Sequence, residues 1–77
     1  MTRTRAEHLQ WCKERAHQEY NHYKRHEPIK AIHNAVASML ADLNKHSETT
    51  HLTRIAFVFS FMVRDQRSLF QFIDGFH

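Results

Sequence analysis

The sequence predicts a small all-α domain, a bundle of three to four helices built on an antiparallel helical hairpin. Three observations carry that prediction. From Ile29 to Leu43 the apolar residues Ile29, Ile32, Val36, Met39, Leu40 and Leu43 recur at steps of 3, 4, 3, 1 and 3, with Ala35 on the same face. That spacing is one side of an α-helix. From Ala6 a second stripe runs through Leu9, Cys12, Ala16, Tyr20 and Tyr23, at steps of three and four residues. The 77 residues include one glycine and one proline, so turns are few and no flexible linker is expected.

The first helix is expected over roughly residues 5–25. Thr2 or Thr4 can cap it, and Thr4 to Glu7 reads T-R-A-E, the capping-box pattern. Trp11 lies on the flank of its apolar stripe, and Lys13, Glu14, Arg15, Gln18 and Glu19 occupy the other face. The stretch Lys24-Arg25-His26-Glu27-Pro28 holds no large apolar residue. Proline disfavours helical geometry in the residue before it and suits a first helical turn. A turn is therefore expected here, with a second helix over roughly 28–45 folding back on the first. Ala31, Ala35, Ala37 and Ser38 are small enough to let the two backbones approach closely. Lys45 and His46 suit the negative end of that helix. Ser47, Thr49 or Thr50 is expected to start the next element.

Leu52 to Val63 admits two readings. Phe57, Phe59, Phe61 and Val63 alternate as in a strand, while Leu52, Ile55, Ala56, Phe59, Met62 and Val63 fit a helix. The run has no hairpin partner elsewhere, and a lone strand leaves its backbone groups unpaired. The segment is therefore assigned as a helix over roughly 51–63. Phe57 and Phe61 then share a second side, and the helix is apolar nearly all round. Asp65, or else Ser68, can cap a last helix over roughly 66–75 that carries Leu69, Phe70, Phe72, Ile73 and Phe76, with Gly75 as its C-cap.

A chain of this length is expected to form one domain spanning 1–77 and to bury only about 60–65% of its unfolded surface. A core of this size seldom supplies more than about 3–5 kcal/mol net, so staples or a partner are often needed. Cys12 is alone, so no internal disulfide can assist; it fits a reducing compartment, or an intermolecular bond in a secreted protein, and is expected to be a half-buried small residue on a helix. The N-terminal residues are basic but are not followed by the apolar stretch of a secretory signal. The longest apolar run, Ile55 to Val63, is far shorter than the ~20 residues that span a bilayer. A soluble cytoplasmic protein is expected.

The segments HLQWCKERA at 8–16, NAVASMLADLNKHSET at 34–49 and FIDGF at 72–76 resemble a family of short proteins encoded by bacteriophages and prophages. The resemblance spans most of the chain in order. It implies a phage or prophage origin and an all-helical fold, and it implies no catalytic residues. This chain departs from relatives in its longer, histidine-rich NHYKRHEPIKAIH segment, where they tend to have a short Gly-Asp turn. It also carries phenylalanines where their third segment is rich in glycine and methionine.

The eight histidines invite a metal reading. His22 and His26 are spaced i, i+4, as are His8 and Cys12, so each pair could share an ion on an unbroken helix. Neither has an adjacent third ligand, and no CxxC or HExxH occurs, so no metal or other cofactor is expected. The histidines of the 17–33 stretch could instead form a pH-sensitive rim. Cys12 and Ser38 are expected inside packed faces, away from any oriented base, and no glycine-rich phosphate loop exists, so no catalysis is expected. The net charge of +3 with neutral histidines permits weak nucleic-acid contact. The basic residues Arg3, Arg5, Lys13 and Arg15 crowd into the first 30 positions with Lys24, Arg25 and Lys30, the last three being the candidate contacts. Glu7, Glu14, Glu19 and Glu27 interrupt them, so the surface is mixed.

Binding to another protein is the preferred expectation. Ile55, Phe57, Phe59, Phe61, Phe70, Phe72 and Phe76 are more apolar bulk than a small helical core can absorb. Exposed apolar patches mark partner surfaces, and aromatics are their usual anchors. Phe57, Phe61 and Phe70 are the expected anchors. The partner is expected to be a second copy in a symmetric homodimer, or a host or defence protein that a small phage product inhibits or redirects.

Overall fold

The computed structural model describes residues 4–76, so the expectations placed on Thr2 and Arg3 lie outside the described residues. Four helices follow one another: α1 Arg5–Tyr23, α2 Pro28–Leu43, α3 Leu52–Ser60 and α4 Gln66–Asp74. No strand occurs among the described residues. The alternating phenylalanines of 57–63 are helical as far as Ser60 and continue as a turn through Phe61 and Met62.

Local chemistry sets the helix ends. Thr4 accepts a hydrogen bond from the Glu7 amide at 3.1 Å, and the Glu7 carboxylate accepts from the Thr4 amide at 3.0 Å, which completes the capping box. Pro28 opens α2 at its first turn, where the missing amide costs nothing. Asp65 caps α4 by accepting from the Ser68 amide at 2.9 Å. Gly75 closes α4 with φ −77°, so this C-cap does not use the left-handed backbone common at helix ends. A Cβ there would meet the Gln71 carbonyl oxygen at 2.8 Å, which favours glycine by close approach instead. Thr49 caps α2 rather than starting α3. Its buried hydroxyl donates to the Leu43 carbonyl at 2.7 Å. The N-cap of α3 is His51, with no side-chain cap.

Helices α1 and α2 form the antiparallel hairpin. His8, near the start of α1, reaches Asp42, near the end of α2, and the turn at 24–27 joins the other ends. From α1 the seam takes Leu9, Cys12, Ala16 and Tyr20, as the stripe predicted, with Tyr23 half-buried, while Ala6 at the start of the stripe is exposed in the first turn of the helix. Cys12 is fully buried rather than half-buried.

Helix α2 keeps Ala35, Met39 and Leu43 of the predicted stripe in the core but is turned part-way from the rest of that face. Its buried residues are Ala31, Ala35, Met39, Asp42 and Leu43, while Ile32, Val36 and Leu40 are half-buried and Ile29 is 71% exposed. The small residues Ala31 and Ala35 meet α1 because alanine lets two helix backbones come close; the bulkier isoleucines are displaced to the flank. Ala37, expected at the same contact, is exposed, and Ser38 is half-buried. Helix α2 also packs against α3 and α4, so it touches every other helix. Helix α4 contributes Leu69, Phe72 and Ile73 to the core. Helix α3 contributes one fully buried residue, Ala56.

Candidate protein-interaction surface

A nine-residue helix anchored by an alanine leaves most of its apolar side chains outside. Ile55, Phe57, Val58, Phe59, Phe61 and Met62 are 47–72% exposed. They form the main exposed apolar surface of the described residues; of the other large apolar side chains, Ile29 alone is comparably exposed. Two features divide this surface. Phe57 and Phe61, four residues apart, stack edge to face with centroids 5.1 Å apart and an interplanar angle of 80°. They make a convex aromatic ridge. On the opposite side of α3, Leu52, Ile55, Phe59 and Met62 face Phe72 and Phe76 of the α4 segment across a groove of about 610 Å³. Ser68 and Gln71 supply its few polar groups. The groove persists because Ala56 and the half-buried Leu52 and Val63 hold α3 to the body, while the short α4 carries its bulk inward.

The third expected anchor lies elsewhere. Phe70 is half-buried against α1, edge to face with His17 at 4.7 Å and with Tyr20 at 5.5 Å. Phe72 is buried and Phe76 half-buried. The aromatic excess is therefore concentrated on α3, not spread over the last third of the chain. Phe70 helps to dock α4 on α1, together with Tyr20 donating to Gln66 at 3.3 Å and His17 facing Asp74 at 3.1 Å.

The basic candidates lie at the hairpin turn. Lys24 and Arg25 are exposed beside it. Lys30 is already engaged: its ammonium sits 3.6 Å from Glu27 and 4.8 Å above the Tyr23 ring. His22 ends its helical register one residue before the break, and His26 lies in the turn, so the i, i+4 relation between them is lost. His8 and Cys12 are both buried. Among the described residues no group of three His, Cys, Asp or Glu is placed to hold a metal ion.

A buried polar cluster, beyond the sequence expectations, stands at the far end of the hairpin. The Asp42 side chain is 2% exposed, yet it accepts from Arg15 Nε at 2.8 Å and pairs with Lys45 Nζ at 2.9 Å. Ser38 donates to it at 3.3 Å. Burial raises its pKa, but hydrogen bonds and charge from Lys45 and Arg15 outweigh burial and hold the carboxyl below the ordinary range. Both cations also lie over the Trp11 ring, Arg15 at 5.1 Å and Lys45 at 5.5 Å. His8 donates Nε2–H to the Asp42 carbonyl at 2.7 Å, since a carbonyl can only accept. Its ring packs against Trp11 and His46. The sequence signal was an acidic residue one step from a buried leucine, with cations at positions 15 and 45 to balance it. The cluster closes the hairpin; its charges are already paired.

No protein-family model, no curated protein and no solved structure matches this chain. Among the described residues no helix is long and apolar enough to cross a membrane.

Proposed function

We propose that this is a small non-catalytic protein of phage type that acts in the bacterial cytoplasm by binding another protein through α3. The partner is a host or defence factor that it inhibits or redirects, or another copy of itself. The observation that carries this reading is the exposure of six large apolar side chains between Ile55 and Met62, with Phe61 at 72%. An isolated surface leucine or valine needs no explanation, but a contiguous aromatic patch marks a binding site. A non-catalytic role is supported by the placement of the nucleophile candidates. Cys12 is sealed in the core and the Ser38 hydroxyl is spent on Asp42. A nucleic-acid role through Lys24, Arg25 and Lys30 has less behind it, because Lys30 is paired and Glu27 lies beside it.

Affinity capture from bacterial lysate tests the reading. Proteins retained by the wild-type chain are expected to be lost with Phe61→Glu, while helix content and thermal midpoint stay unchanged. Equal capture by the two chains would remove α3 as the binding surface. Unfolding of the variant would place Phe61 in the core.

A further inference from the structure

Resting on the protein-binding reading, we propose that the α3–α4 groove takes an acidic amphipathic helix of a different protein. The apolar face of that helix lies between α3 and α4, and its carboxylates meet Arg64 and Arg67. Helices α3 and α4 have nine residues each, about 13.5 Å at 1.5 Å per residue, so the trough between them matches roughly two and a half turns of a third helix. Ile55, Phe59 and Met62 form one wall of its 610 Å³, and Phe72 and Phe76 the other. A helix enters such a groove through apolar anchors at i, i+3 or i+4 and i+7. The groove is open to solvent rather than enclosed, which suits a chain segment better than a small ligand that must be buried over most of its surface.

Charge sets the sign of the occupant. Between Leu52 and Ile73 the charged residues are Arg54, Arg64, Asp65 and Arg67, a net charge of +2. The three arginines are exposed, and among the described residues no salt bridge engages them, in contrast to Arg15, Lys30 and Lys45. The one aspartate is committed to the N-cap of α4, where its carboxylate accepts from the Ser68 amide at 2.9 Å and the Ser68 hydroxyl at 3.0 Å. Two of the arginines stand at the groove. Arg64 follows Val63, and its amide donates to the Ser68 hydroxyl at 2.8 Å; Val63 and Ser68 both line the groove. Arg67 precedes Ser68 and lies one turn before Gln71, the other polar lining residue. An apolar floor with a cationic rim is complementary to a segment that is apolar on one face and acidic beside it. None of this chain's four helices carries a net negative charge, so a second copy does not supply that segment. A flat anionic bilayer would meet the arginines but leave the concave groove unfilled.

A displayed library of helical peptides, selected on the full chain, tests this. One face of each peptide is fixed as apolar, and the flanking positions vary among Asp, Glu, Lys, Arg and Ser. The wild type is expected to enrich Asp and Glu at the flanks. By fluorescence anisotropy, the affinity of the selected peptide should fall as salt rises, and Met62→Glu in the groove wall should weaken it tenfold or more. Arg64→Glu combined with Arg67→Glu should invert the selection toward Lys and Arg. Ile29→Glu, at an exposed site on α2, should change nothing. Circular dichroism checks the helices of each variant, with Ile55→Glu as the substitute groove variant and Arg67→Glu alone as the substitute rim variant. Flanks left unenriched or enriched in Lys and Arg, binding indifferent to the groove variants, or no binder at all overturns the proposal. So does retention on phosphatidylglycerol vesicles with no acidic peptide selected, which would assign the surface to lipid. If the proposal fails while lysate capture still depends on Phe61, α3 remains a binding surface through its other side. If acidic peptides bind as expected while capture ignores Phe61, the groove stands and the ridge does not.

Discussion

Met39→Ala is expected to leave much of the chain unfolded at physiological temperature. Met39 is fully buried on α2, the helix that touches all three others. Truncating a buried methionine to alanine costs about 2–5 kcal/mol, the transfer of its atoms plus the cavity left behind. A core of this size seldom supplies more than about 3–5 kcal/mol net. The two quantities are comparable, so one substitution can exhaust the margin. Urea titration followed by circular dichroism, at one fixed protein concentration, reads the loss. A midpoint within experimental error of wild type would mean that the surrounding helices close over the gap. Leu40→Ala, on the half-buried flank of the same helix, should cost clearly less. The ordering of the two separates the face that packs from the face that the large side chains suggest.

Asp42→Asn is expected to cost about 1.5–3 kcal/mol at neutral pH, the range for hydrogen bonds to charged groups. The lower part of that range applies, because the Arg15 and Lys45 side chains are 42% and 55% exposed and water screens them. The pH dependence has a definite sign. The folded carboxyl titrates below its ordinary value of about 3.9. Its contribution is then complete above that ordinary value and disappears as pH falls through the lower, folded one. The wild type should therefore lose stability relative to Asp42→Asn as the medium is acidified below about pH 4, until the two converge. Parallel thermal melts of both chains from neutral to acidic pH measure this. A gap that holds constant down to strongly acidic pH would mean that the charge on Asp42 contributes nothing.

Much of this architecture is legible in the residue pattern. Apolar spacing locates α1, α2 and α4, the lack of a pairing strand decides α3, Thr4 and Asp65 mark the starts of α1 and α4, and the i, i+4 interval pairs Phe57 with Phe61. The rotation of α2 is legible only in part. Its sequence holds two overlapping stripes, and side-chain hydrophobicity points to isoleucine and valine. The packed hairpin keeps Ala35, Met39 and Leu43 of that stripe and buries Ala31, expected as a small contact residue, while Ile29, Ile32, Val36 and Leu40 are turned aside. The same limit hides Asp42 and His8, whose burial makes sense only once α1 and α2 lie side by side. Phe70 reads as one more exposed aromatic until α4 docks and sets its ring against His17 and Tyr20.

The sealed position of Cys12 gives the hairpin a clock of its own. Its sulfur is reachable by an alkylating reagent only after α1 and α2 part, so the rate of thiol labelling counts the opening of the fold itself.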